Sequence, residues 1–250
     1  MCLIAFDWHP DRERPLVLVA NRDEFHARPT RALHWWGGPT GPLAGRDEQA
    51  GGTWLAVRRD GRFAALTNVR DPAAPPGERS RGELVVDALA GDGDIEAFVF
   101  DVHARRHAYG PFNLLVGSPE RLWQVGSHSA PDRVTPGLHA LSNHALDTPW
   151  PKSIRAVRRL EKALSGEAPS IATLLGLLDD RSPAGDEELP DTGVGLDLER
   201  VLSAPFIVGE RYGTRSSSAL VLGGTARMAE RTFDPAGKRI GERAFSWRPG

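Results

Sequence analysis

Short apolar runs broken by polar turns fill the first third of the chain, a spacing that predicts strands. LIAFDW and PLVLVAN are two such runs, separated by a polar turn over residues 9–15. TWLAVRR and RFAALTN flank Asp60-Gly61, a hairpin signal because both residues tolerate the positive φ of a tight turn. A loop rich in Pro and Gly follows over residues 71–82. The pattern then changes period: ELVVDALA and IEAFVFDVHARR carry apolar residues near helical spacing. FNLLVGS, RLWQVGS and LHALSN read as strands again. WPKSIRAVRRLEKAL reads as an amphipathic helix with Ile154, Val157, Leu160 and Leu164 on one face, and IATLLGLLDD as a shorter helix. Residues 181–195 are polar and rich in Gly, Pro and acid, which predicts a mobile excursion. FIVGE, ALVLGG and ARMAERTF close the chain as strands. Strands, then helices, then strands do not make a βαβ alternation, so the pattern predicts a layered α+β architecture. No internal repeat or clean linker interrupts it, and residues 1–250 read as one domain.

Composition narrows the function classes. The net charge is −2, with 31 basic and 33 acidic residues, and the arginines are scattered. That balance argues against a nucleic-acid or membrane-surface binder. The single cysteine excludes an intramolecular disulfide and gives no sign of an oxidising compartment. The first residues lack the apolar core of a secretory signal, and no run reaches the roughly eighteen apolar residues of a membrane span. The expectation is a cytoplasmic protein with no integral membrane segment. His103 and His107 are four residues apart but lack a third ligand, so they are taken as surface and no metal site is expected. His34-Trp35-Trp36 could line a pocket for a flat apolar ligand, but reads more readily as a loop packed on a sheet.

The cysteine stands directly after the initiator. Trimming of Met1 would leave Cys2 with a thiol and a free α-amine on one residue. The amine titrates at about 7.7–8.0 and the thiol at about 8.5, so the amine can serve as base for its own thiol. A small packing residue is the competing reading of any isolated cysteine. Asn21-Arg22-Asp23-Glu24 ends the second predicted strand, where a carboxylate could hold an ammonium terminus and an arginine could stabilise a thiolate, although the run by itself reads more readily as an ordinary polar turn. Asn68 and Asn143 end two other strands and are candidate oxyanion donors, or ordinary turn formers. Arg215 lies among small hydroxyl residues in YGTRSS, with room to point at a ligand or into solvent.

Taken together, Met1-Cys2, the NRDE run, GGTWLAV, LTN ending at Asn68, SRG at 80–82, FNLLVG, LSN ending at Asn143, PWPK at 149–152 and YGTRSS resemble the NRDE family. Its members are also called transport and Golgi organisation protein 2 homologues. The family is similar in turn to the choloylglycine hydrolase and penicillin V acylase branch of N-terminal-nucleophile hydrolases. The resemblance implies a four-layer α/β/β/α sandwich of two antiparallel sheets, with Cys2 as nucleophile and base. It implies Asn68 and Asn143 as oxyanion and positioning groups and Arg215 as the cation beside the thiolate. Arg22 and Asp23 join that catalytic set, and Asn21, Glu24, Trp54 and Tyr212 are the expected substrate-binding residues. The acylases carry Arg-Asn-x-Asp where this chain has Asn21-Arg22-Asp23-Glu24, so Asp23 and Glu24 both stand as partners for the terminal amine. The expected activity is an amidohydrolase or thioesterase acting on a small-molecule acyl substrate, with no cofactor required. The alternative is a non-catalytic carrier or chaperone on the same fold, with haem or another hydrophobic molecule as ligand, because the family has been linked to haem trafficking.

Overall fold

The computed structural model describes residues 2–37 and 41–250. The chain opens with β1 (Cys2–Trp8), β2 (Leu16–Phe25), β3 (Thr30–Trp35), β4 (Leu43–Asp47), β5 (Leu55–Val57) and β6 (Phe63–Asn68). Helices α1 (Arg81–Leu89) and α2 (Ile95–Ala104) follow. Next come β7 (Phe112–Gly117), β8 (Leu122–Gly126), β9 (Asp132–Arg133) and β10 (Gly137–Leu141). Helices α3 (Pro151–Leu164), α4 (Ile171–Leu175) and α5 (Leu196–Leu202) precede β11 (Tyr212–Leu222), β12 (Ala226–Phe233) and β13 (Arg239–Trp247).

The strands form two sheets, ordered β10-β1-β2-β11-β12-β13 and β3-β4-β5-β6-β7-β8-β9, with every pairing antiparallel. The period-2 alternation of strands builds the layers. From β1, Ile4, Phe6 and Trp8 pack between the sheets with Phe63, Leu115 and Leu220. Leu3 and Ala5 face the other way, onto Ala156 and Leu160 of α3 and Leu174 of α4. Outside the second sheet, Leu84 and Val85 of α1 and Val99 of α2 cover Ala64, Leu114 and Val116. The result is the expected α/β/β/α sandwich.

Local chemistry explains the elements. The β5–β6 hairpin turns at Asp60-Gly61, with Gly61 at φ +88°. Asp94 caps α2 by accepting from Ala97 N at 3.2 Å. At the start of α1, Ser80 N donates to Glu83 Oε1 at 3.3 Å, half of a capping box. A bulge between Arg31 and His34 withdraws Leu33 N from the β3–β4 ladder, and that N–H donates instead to Glu230 Oε1 of β12 at 2.8 Å. Glu230 thereby ties one sheet to the other, and burial pushes its carboxyl up.

Several expectations are corrected. His34 and Trp35 lie in β3 rather than in a loop, and Trp35 meets Phe245 and Trp247 edge-on. FIVGE is not a strand. Phe206 and Ile207 are buried as coil, with Phe206 N bonded to Asp180 O and Ile207 N to Thr214 Oγ1. Residues 181–195 are tied down by Arg181 to Gly237 O, Arg155 to Ser182 O and Thr192 to Glu199. The inward face of α3 is Lys152, Ser153, Ala156 and Leu160, while Ile154 is exposed. The reason lies in what Lys152 meets on the inside.

Candidate functional site

A cleft of about 730 Å³ opens where the start of β1, the end of β2, the end of β6 and the start of α1 converge. The antiparallel register places Cys2 opposite Arg22 and Leu3 opposite Asn21. Successive residues of β2 therefore serve opposite faces of the sheet. Cys2, Arg22, Asp23, Glu24, Trp54, Asn68 and Arg215 all line the cleft. Asn21, Asn143 and Tyr212 do not, which changes the roles open to them.

Cys2 is 8% exposed. Burial pushes its thiol up, and the Arg22 guanidinium pulls the other way. Arg22 is buried, lies 3.7 Å from Glu24 and donates to Thr30 Oγ1 at 3.4 Å. Asp23 is buried and accepts from Thr214 Oγ1 at 2.7 Å. Burial raises its carboxyl, against the opposing pull of Lys152, Thr214 and Arg22. Glu24 accepts from Phe25 N at 2.9 Å and stands 3.9 Å from Arg28.

Arg215 sits in a bulge of β11, between Thr214 opposite Asp23 and Ser216 opposite Arg22. Its guanidinium donates to three carbonyls of the β2–β3 turn, Phe25 O at 2.9 Å, His26 O at 3.1 Å and Arg28 O at 3.1 Å. Arg215 thus clamps the cleft wall. The arginine that offsets the rise of the Cys2 thiol is Arg22, and Arg81 in turn feels the charge of ionised Cys2.

The two asparagines divide their work. Asn68 lines the cleft, and its side-chain amide has no hydrogen bond to any described residue. Asn143 is wholly buried: its Nδ2 donates to Asn68 O at 2.9 Å and its Oδ1 accepts from Lys152 Nζ at 3.0 Å. Asn143 is a brace beneath Asn68, and its amide is spent on the protein. Asn21 is likewise spent, donating to Pro205 O at 2.8 Å and Leu178 O at 3.1 Å and accepting from Ser217 Oγ at 2.6 Å. Tyr212 packs edge-on against Phe25. Burial first, then the charges of Asp23 and Cys2, hold its hydroxyl protonated well above the usual range.

Three groups escaped the sequence reading. Lys152 is 1% exposed on the first turn of α3. A cation there opposes the helix dipole, and that misplacement was the signal in PWPK. Arg70 and Glu199 form a buried ion pair, with the Arg70 guanidinium also 4.8 Å from the Trp150 ring. Arg81 lines the cleft and donates to Pro111 O at 3.1 Å. The GGTWLAV and SRG motifs meet in space: a Cβ on Gly52 would lie 2.5 Å from the carbonyl carbon of Gly82. Among the described residues no group of His, Cys, Asp and Glu could hold a metal ion, and no histidine lines this cleft.

Two packed antiparallel sheets between helical layers, with Cys2 opening a central strand at the cleft, define an N-terminal-nucleophile hydrolase-like fold. The Caenorhabditis elegans N-acylethanolamine-hydrolyzing acid amidase ortholog superposes with a TM-score of 0.52 at 10% identity, covering 88% of this chain and 92% of that one. The pattern of the Transport and Golgi organisation 2 family matches residues 1–235, and the chain belongs to that family. The Transport and Golgi organization protein 2 homolog of Homo sapiens is 34% identical over 253 residues, covering 89% of this chain and 88% of its own length. The homolog of Bos taurus is 35% identical over 252 residues with the same coverage. No helix among the described residues is long and apolar enough to cross a membrane.

Proposed function

We propose that the cleft hydrolyses an amide or thioester bond of a small acyl compound, with Cys2 as nucleophile once Met1 has been removed. Met1 itself lies outside the described residues. The observation that carries the reading is the position of Cys2 at the head of β1, in a cleft whose rim offers the unengaged amide of Asn68. The α-amine of Cys2 takes the thiol proton, and the sulfur forms a bond to the acyl carbon while the carbonyl π pair moves onto oxygen. Asn68 donates to that oxyanion. As the carbonyl re-forms, the C–N or C–S bond breaks and the leaving group takes the proton from the ammonium. Water then attacks the acyl-enzyme, releasing the acid and restoring the thiol.

The deciding experiment is a panel of amide and thioester substrates assayed on wild type and Cys2→Ala, with intact mass establishing removal of Met1. Turnover by the trimmed wild type and none by Cys2→Ala is the expected result. Turnover untouched by the substitution, or a retained Met1 in active protein, overturns the mechanism.

Burial that pushes the Cys2 thiol up favours a second reading, a non-catalytic carrier of a hydrophobic molecule such as haem. Saturable haemin binding without turnover of any acyl compound would select it. The cytoplasm is the compartment this proposal assumes.

A further inference from the structure

Lys152 is out of place for a lysine. Taking an ammonium out of water is costly, and an apolar side chain beside Ala156 and Leu160 would avoid that cost. What Lys152 gains is contact with the underside of the cleft. An ammonium only donates, so the amide it meets must turn its oxygen toward it. Lys152 Nζ lies 3.0 Å from Asn143 Oδ1, which leaves Asn143 Nδ2 to donate to Asn68 O at 2.9 Å. The Ser142 hydroxyl stands 3.1 Å from Cys2 O and 3.2 Å from Asn143 Oδ1. From one buried nitrogen, hydrogen bonds therefore run through Asn143 to the backbone of Asn68, while the single Ser142 proton reaches either Cys2 O or Asn143 Oδ1.

We propose that Lys152 is a positioning residue for this cleft, fixing the Asn143 amide beneath Asn68 and, while it holds its proton, adding positive charge to the surroundings of Asp23 and Cys2. Its catalytic consequence rests on the hydrolase reading above; its effect on the thiol does not. The charged groups around it come from four segments. Asp23 of β2, Cys2 of β1 and Glu199 of α5 favour the ammonium, and Arg70 after β6 disfavours it. Burial outweighs them and lowers its pKa to about 8. The ammonium is thus strongest below that pH and is lost above it, just where a thiol pushed up by burial begins to ionise.

The chain has one cysteine and three lysines, so both groups can be followed without interference. The test is the rate of Cys2 alkylation by iodoacetamide against pH in wild type, Lys152→Gln and Lys152→Met. Loss of the charge should lower Cys2 alkylation in both variants by up to about tenfold at pH 7, where wild-type Lys152 is protonated, and leave it unchanged above about pH 9, where Lys152 is already neutral. Gln keeps a donor for Asn143 and should retain more acyl turnover than Met, with kcat falling and KM little changed. Should Lys152→Met not fold, the Asp23→Asn/Lys152→Met pair removes both buried charges together. NMR of the lysine side chains in wild type adds a reading free of folding defects: Lys152 should titrate at about 8, well below the ordinary lysine value of about 10.4, and lower still in Asp23→Asn. Alkylation at pH 7 unchanged in both variants, or a Lys152 midpoint indifferent to Asp23, overturns the proposal. Alkylation lowered at pH 7 with no acyl substrate turned over would instead sink the hydrolase reading and leave this one standing.

Discussion

On the second sheet, α1 and α2 turn Leu84, Val85, Ala88, Ile95, Val99 and Val102 inward, an apolar cover with no buried charge. At the first sheet, α3 buries Lys152 and Ser153, and α5 buries Glu199 against Arg70. Both sets of helices shield a sheet from water, so shielding alone does not account for the second choice. Each buried ion costs several kcal/mol unless partners offset it, and here Asp23 answers Lys152 while Arg70 answers Glu199. The charged side is also the side from which Cys2, Asp23 and Asn68 are held. The difference separates a layer that stabilises the fold from one that sets the chemistry of the cleft.

The sharpest way to break that comparison is to damage each layer and watch both stability and the thiol. Glu199→Ala strands the buried Arg70 guanidinium and should cost about 3–5 kcal/mol in urea denaturation. Leu84→Ala opens a cavity under α1 and should cost about 2–5 kcal/mol. Despite that loss, the pH profile of Cys2 alkylation in Leu84→Ala should match wild type, and a shifted profile would erase the distinction between the layers. Next in size is the one point where the apolar layer reaches the cleft. Gly52→Ala drives a methyl into the Gly82 backbone at the start of α1 and should cost about 1–3 kcal/mol by thermal unfolding. An unchanged Tm would mean that this rim is pliable.

The smallest effect concerns the turn leading into α3. Both ring nitrogens of His139 face acceptors, Asp147 Oδ2 at 2.7 Å and Thr135 O at 2.8 Å. Although burial opposes it, these bonds raise the His139 pKa. The stabilisation is therefore complete below the unfolded value of about 6.5 and fades as pH rises through the folded value. Asp147→Asn should cost under about 1 kcal/mol, since Asp147 is half-exposed and screened. That cost should be larger at pH 5.5 than at pH 9. Equal costs at the two pH values would show that the imidazolium contributes nothing.

Legibility followed burial on a single face. The β1–β2 hairpin, the Asp60-Gly61 turn and the helices α1 and α2 were readable because each carries a clean apolar period or a turn residue with a backbone reason. Strand β13 was not, since RIGERAFSW lies at a sheet edge with charged residues pointing to solvent, where no apolar period is required. Strand β3 was hidden by its bulge, which breaks the alternation between Arg31 and His34. FIVGE misled in the opposite sense: Phe206 and Ile207 are buried, but their N–H groups pair with Asp180 O and Thr214 Oγ1 rather than with a neighbouring strand. At the cleft, the sequence located Cys2, Arg22, Asp23 and Asn68. It could not tell Asn68 from Asn143, because the first faces the cleft and the second supports it from beneath. The α3 face was misread for a related reason: hydropathy turns every lysine outward, and Lys152 turns inward toward Asn143.

The strand orders of the two sheets carry a consequence for biosynthesis. The second sheet is drawn from one continuous stretch, β3 through β9, and can assemble while the chain is still emerging from the ribosome. The first sheet waits: β1 must find β10, and β2 must find β11, partners that lie more than 130 and about 190 residues downstream. Strand β1 can pair with β2 at once and with β10 midway through synthesis, but the sheet they belong to closes only when β11, β12 and β13 have emerged.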